Sequence, residues 1–167
     1  MQPQEFSLYR APLQALKKVS GRLQRLLRSA TTSVKGSPRP SRLLIVEDEA
    51  AVCFAMSEYF GQHGFKVDTT SELSEAVTLI ENGHYEVIIQ DLRLGVMQQY
   101  AGLDLIKLVH SRSPQTRVVV LTAYGSSEVE AQARSLGANA FLRKPKPLSQ
   151  VAQVVQGLIE SPHARTR

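Results

Sequence analysis

From Leu43 onward, short and mostly apolar runs alternate with longer stretches of helical period. The runs are LLIV (43–46), FKVDT (65–69), VIIQ (87–90), VVVLT (118–122) and AFLR (140–143). The first amphipathic stretch, Ala50 to His63, stops at Gly64. The second begins near Ser71, a plausible N-cap, and ends at Asn82-Gly83. The fourth opens with Ser127 and Glu130 in capping-box spacing and ends at Gly137, and the fifth sets Leu148, Val151, Val155 and Leu158 on one stripe. Strands that are apolar on both faces are buried on both, which requires a parallel sheet with helices on each side. The pattern predicts an α/β domain over 42–160: a doubly wound, five-stranded parallel sheet.

Before Leu43 the pattern differs. Leu13, Leu16, Val19, Leu23, Leu26 and Leu27 recur at helical spacing, interleaved with Lys17, Lys18, Arg22, Arg25 and Arg28. Pro12 suits a first helical turn, and Gly21 weakens the middle. TTSVKGSPRPSR then reads as a linker. Residues 1–41 are thus expected to form a basic arm, helical or disordered, or an over-extended start; 161–167 are expected to be a disordered tail. Charge sharpens this division. Residues 1–42 hold nine Lys/Arg against one Glu, while the remainder holds eleven against fourteen acids. The overall +5 therefore hides a +8 arm and a −3 body. Such an arm suits an acidic partner or a membrane surface; DNA is a weaker expectation, since no recognition-helix pair is visible.

The lone Cys53 excludes a disulfide framework and a multi-thiolate metal site. His63, His84, His110 and His163 show no ligand spacing. With no long apolar run and no signal-peptide pattern, a cytoplasmic protein is expected.

In doubly wound sheets the working site lies at the carboxyl ends of the strands. Here the first run delivers Glu47 and Asp48, the third Asp91, the fourth Thr122, and the fifth Lys144 followed by Pro145. Two carboxylates ~4 Å apart repel by about 4 kcal/mol at an effective dielectric of ~20. One Lys cannot offset three acids, so a hard divalent cation is expected, and oxygen-only ligands suit Mg²⁺ better than Zn²⁺. Beside such a cation, Asp can attack phosphorus, with Mg²⁺, Lys144 and Thr122 each taking a phosphoryl oxygen.

The segments IVEDE, VIIQDLRL, VVVLTAYGS and AFLRKPKP resemble the signature regions of the bacterial response-regulator receiver domain, over about residues 42–160. That resemblance implies a flavodoxin-like fold and a two-component phosphorelay role. It makes Asp91 the phosphoacceptor, with Mg²⁺ held by Glu47, Asp48, Asp91 and the backbone carbonyl of Arg93. Thr122 and Lys144 would contact the phosphoryl group. Thr122 and Phe141 would switch on activation, Lys144-Pro145 would be a cis peptide, and Ala123 would leave the site accessible. A sensor histidine kinase or phosphotransfer protein would donate the phosphate. An unknown downstream protein would read a surface on the fourth helix, fifth strand and fifth helix. Since only SPHARTR follows Glu160, the output is expected to be protein–protein or a contribution of the arm. One departure is the loop GVMQQYA before Gly102, about three residues longer than usual and without the family's Pro, which bears on how Arg93 shapes the pocket. Among alternatives, a pseudo-receiver binding constitutively through the arm keeps every residue named. A haloacid-dehalogenase-type phosphatase wants a second acid where Arg93 stands. A flavodoxin-like cofactor binder would meet acids that repel its phosphate.

Overall fold

The computed structural model describes residues 40–94 and 101–161. Expectations for the arm up to residue 39, for 95–100 in the loop after Asp91, and for 162–167 lie outside the described residues.

Strands and helices alternate through the described residues: β1 (Arg42–Val46), α1 (Ala50–Gln62), β2 (Lys66–Thr70), α2 (Leu73–Asn82), β3 (Val87–Gln90), α3 (Ala101–Arg112), β4 (Arg117–Thr122), α4 (Ser127–Ser135), β5 (Ala140–Arg143) and α5 (Leu148–Glu160). The sheet order is β2-β1-β3-β4-β5 and every pairing is parallel. Side chains alternate across the pleat, so β1, β3 and β4 each feed two cores. Leu43, Ile45, Val87, Ile89, Val119 and Leu121 meet Met56 and Phe60 of α1 and Val151 and Val155 of α5. Leu44, Val46, Ile88, Val118 and Val120 meet α2, α3 and α4 through Ala76, Ile80, Leu105, Ile106, Val109 and Ala133. Phe60 is fully buried, and burial of such a side chain contributes about 1.5–3 kcal/mol.

The expectation of strands buried on both faces holds for β1, β3 and β4 but not for the edge strands β5, where Arg143 is exposed, and β2, where Lys66 and Thr69 are exposed. β2 is an edge strand, and an edge is protected by charge rather than by burial. There Asp68 accepts hydrogen bonds from Arg42 and from the Tyr85 hydroxyl (2.9 Å), and the Arg42 guanidinium lies 4.7 Å from the Tyr85 ring centroid.

Two helix starts differ from expectation. α2 has Glu72 rather than Ser71 at its N-cap; the Thr70 hydroxyl instead accepts the Glu72 N–H at 3.0 Å and turns the chain into the helix. α4 is capped by Ser126, whose hydroxyl accepts the Val129 N–H at 3.3 Å, and not by Ser127. With Ser126 at the N-cap the third helical residue is Val129, so no capping box forms, and the Glu130 carboxylate instead pairs with Arg134 one turn later, at 2.9 Å. The stops at Gly64 and Gly137 stand: both adopt positive φ, 86° and 115°, which β-carbon-bearing residues resist.

Candidate functional site

Register brings the site together. Val46 pairs with Gln90, so Glu47 and Asp91 leave the sheet side by side; Thr122 pairs with Arg143, so Lys144 leaves β5 beside the end of β4. Backbone bonds extend the ladder one step further, from Asp91 N–H to the Val46 carbonyl (2.9 Å) and from Lys144 N–H to the Thr122 carbonyl (2.8 Å). The Lys144-Pro145 bond is cis.

The result is a cavity of about 350 Å³ lined by Glu47, Asp48, Asp91, Arg93, Ala123, Tyr124 and Lys144, among others. The Lys144 ammonium donates to Glu47 Oε2 at 2.6 Å and to Asp91 Oδ2 at 2.9 Å. The remaining carboxylate oxygens accept backbone N–H groups, Glu47 Oε1 from Glu49 (3.3 Å) and Asp91 Oδ1 from Arg93 (3.1 Å). Glu47 is 2% exposed and Asp91 7%, whereas Asp48 stands at the rim and is exposed. Thr122 is fully buried, and its hydroxyl accepts the Tyr124 N–H at 3.2 Å. Phe141 is buried against α4's side of the sheet and packs on Gly125, where an added β-carbon would lie 2.7 Å from the ring.

The electrostatics follow from two buried acids sharing one cation. Burial pushes the Glu47 carboxyl above the ordinary range; the Lys144 hydrogen bond opposes this without reversing it, and Asp91 adds to the rise. For Lys144, burial alone would lower the ammonium. The hydrogen bonds to Glu47 and Asp91 together outweigh burial, and the net shift is upward. Among the described residues no three His, Cys, Asp or Glu side chains are grouped closely enough to hold a metal, because Lys144 lies between two of the three acids and the third is at the rim. The donors lining the cavity are nevertheless carboxylate oxygens with an acidic balance, which fits a hard divalent cation in chemical type.

Two features of the site, the Arg93–Tyr124 stack and the Gln90 side chain, carried no expectation. The Arg93 guanidinium stacks over the exposed Tyr124 ring, 3.9 Å from its centroid, and walls one side of the cavity. Gln90, fully buried, donates from Nε2 to the Gly102 carbonyl at 2.6 Å. A polar residue inside the apolar run VIIQ is a signal for the second; nothing local announces the first.

The strand order 2-1-3-4-5 is that of flavodoxin-like sheets, whose working site lies at the carboxyl ends of the strands. A family model for the response regulator receiver domain matches residues 43–156, and the chain belongs to that family. Receiver domains are phosphoacceptor signalling domains of two-component systems. Over 116 residues the chain is 34% identical to response regulator protein PilR of Pseudomonas aeruginosa, covering 68% of this chain and 25% of PilR. Over 123 residues it is 31% identical to the acid tolerance regulatory protein ActR of Sinorhizobium medicae, covering 74% of this chain and 60% of ActR. The chain therefore spans less than two thirds of either relative. Among solved structures, the beryllofluoride-activated NtrC4 receiver domain dimer superposes with a TM-score of 0.66 at 28% identity, covering 71% of this chain and 96% of that one. A response regulator from Burkholderia pseudomallei, solved with a phosphorylated aspartic acid, calcium and citrate, gives 0.65 at 27% identity, covering 71% and 68%. No helix among the described residues is long and apolar enough to cross a membrane.

Proposed function

We propose that the chain is a phosphorylation-controlled switch in which Asp91 accepts a phosphoryl group from a phosphohistidine of a sensor histidine kinase or phosphotransfer protein. The observation that carries this is the Lys144 ammonium bridging Glu47 and Asp91 at the floor of an acid-lined cavity. An Asp91 oxygen attacks phosphorus, the P–N bond breaks, and its electron pair returns to the donor imidazole. Lys144 moves its charge from the Asp91 carboxylate to the phosphoryl oxygens, and the Thr122 hydroxyl turns its proton from the Tyr124 carbonyl (3.5 Å) to another of them. Glu47, Asp48, Asp91 and the Arg93 carbonyl would hold Mg²⁺, which supplies charge neutralisation for the transferring group. Engagement of Thr122 draws on the β4–α4 loop, and the buried Phe141 ring against Gly125 is the element that responds. A downstream protein in the cytoplasm reads that change on α4, β5 and α5. The only chemistry assigned to the chain is its own phosphorylation and dephosphorylation.

The test is incubation of the purified chain with Mg²⁺ and acetyl phosphate, followed by a phosphate-affinity gel, with Asp91→Asn alongside. A shifted band in wild type that Asp91→Asn lacks is expected. Labelling that survives the substitution would remove Asp91 as acceptor. If neither shifts with acetyl phosphate or with phosphorylated kinases, the chain is a constitutive binder.

A further inference from the structure

Asp91 is held from behind as well as from the cavity. Gln90, the last residue of β3, points to the α3 side of the sheet and is fully buried. Its Nε2 bonds the Gly102 carbonyl at 2.6 Å, in the first turn of α3, while its Oε1 has no partner among the described residues. Gly102 stands eleven positions beyond Asp91 in sequence yet lies against the backbone that carries it. A β-carbon at Gly102 would sit 2.6 Å from Leu92 Cα, 2.7 Å from the Leu92 carbonyl oxygen and 3.0 Å from that of Asp91. The start of α3 is thus pressed onto the Asp91–Leu92 peptide, with Gln90 as the tether.

We infer that Gln90 is a positioning residue, which with Gly102 clamps the Asp91–Arg93 segment so that the Asp91 carboxylate and the Arg93 carbonyl are presented together to the cavity. A buried amide with an unpaired oxygen is a poor stabiliser, since an apolar side chain of its size would leave nothing unsatisfied. The amide does fix one end of a long loop to the strand that bears the acceptor. A small displacement of a ligating or reacting group is enough to matter, and loss of a supporting partner typically costs ten-fold or more in metal affinity or rate. The inference rests on the phosphoacceptor reading of Asp91.

The full chain is compared with Gln90→Met, which matches the length and cannot donate, and with Gly102→Ala, which strikes the clamp from α3. In EDTA, Gln90→Met is expected to melt at or above wild type. The Mg²⁺ concentration giving half of the Mg²⁺-induced rise in melting temperature should increase about tenfold in both variants. The initial rate of phosphorylation by acetyl phosphate should fall by a similar factor. Unchanged Mg²⁺ response and rate in Gln90→Met would overturn the positioning role; so would a melting temperature in EDTA well below wild type, which would make Gln90 a residue of the fold. If wild type itself neither responds to Mg²⁺ nor takes phosphate, the phosphoacceptor reading fails and the clamp with it. A responsive wild type matched by its variants removes the clamp alone.

Discussion

Lys144 is the residue on which the charge balance of the cavity turns. It neutralises one of two buried carboxylates and is shared by both, at 2.6 and 2.9 Å. Removing one partner of a buried pair leaves charge uncompensated, which typically costs about 3–5 kcal/mol, whereas surface pairs contribute little. Lys144→Met is therefore expected to lower stability at pH 7 by about 3 kcal/mol in the absence of Mg²⁺. The pH dependence has a definite sign. Glu47 has a raised folded value because of burial, so the folded state binds more protons and stability falls as pH rises through that value. Lys144 is likewise raised, so its contribution is present below the ordinary lysine value and is lost as pH climbs through the folded one. Without Lys144 the Glu47 carboxyl rises further, and the deficit of the variant should shrink between pH 7 and pH 5. Urea titrations at the two pH values check this; an equal deficit at both would assign the loss to packing.

At the scale of the element, local signals place helices and strands well and their first residues less well. Either Ser126 or Ser127 suits an N-cap, and the sequence carries both. The hydroxyl that accepts the Val129 N–H is that of Ser126, so Ser126→Ala should cost about 1 kcal/mol, while Ser127→Ala stays within about 0.5. Thermal melts of the two single variants decide between the registers. β2 was legible as a strand but not as an edge, because strand order is set by pairing with residues far along the chain. Its role emerges only with Arg42 and Tyr85 beside Asp68. Burial, aided by the hydrogen bond to Asp68, pushes the Tyr85 phenol up to about 12. Its contribution is thus present below the ordinary tyrosine value of 10 and is lost as pH rises through about 12. The Asp68 carboxyl is shifted the other way: burial opposes ionisation, but the bonds from Arg42 and Tyr85 prevail, so its stabilisation is lost as pH falls through the depressed value. A spectrophotometric titration should show one tyrosine ionising near pH 12, returning part of the way toward 10 in Asp68→Asn.

Across the whole molecule, two apolar layers supply stability while register alone assembles the site, so the two can be changed separately. Glu47, Asp91, Thr122 and Lys144 could be gathered from sequence because each follows a run whose end is visible, and parallel strands bring such ends to one edge. What no run end reveals is how the charges share each other once gathered: Lys144 lies between Glu47 and Asp91, while Asp48 remains at the rim. That arrangement makes the response to metal and to Asp91→Asn a test of the entire balance. A ligand that binds only the folded state stabilises it by about 1.4 kcal/mol at ten times its dissociation constant, so Mg²⁺ should raise the melting temperature of wild type. In Asp91→Asn the side-chain amide oxygen could still accept the Arg93 N–H or the Lys144 ammonium, but that ammonium would be left to neutralise Glu47 alone. Asp91→Asn is accordingly expected to melt above wild type in EDTA and to lose most of the Mg²⁺ response. Should it melt below wild type, the attraction of Lys144 for Asp91 outweighs the crowding of two buried acids, and the cavity is balanced without a cation.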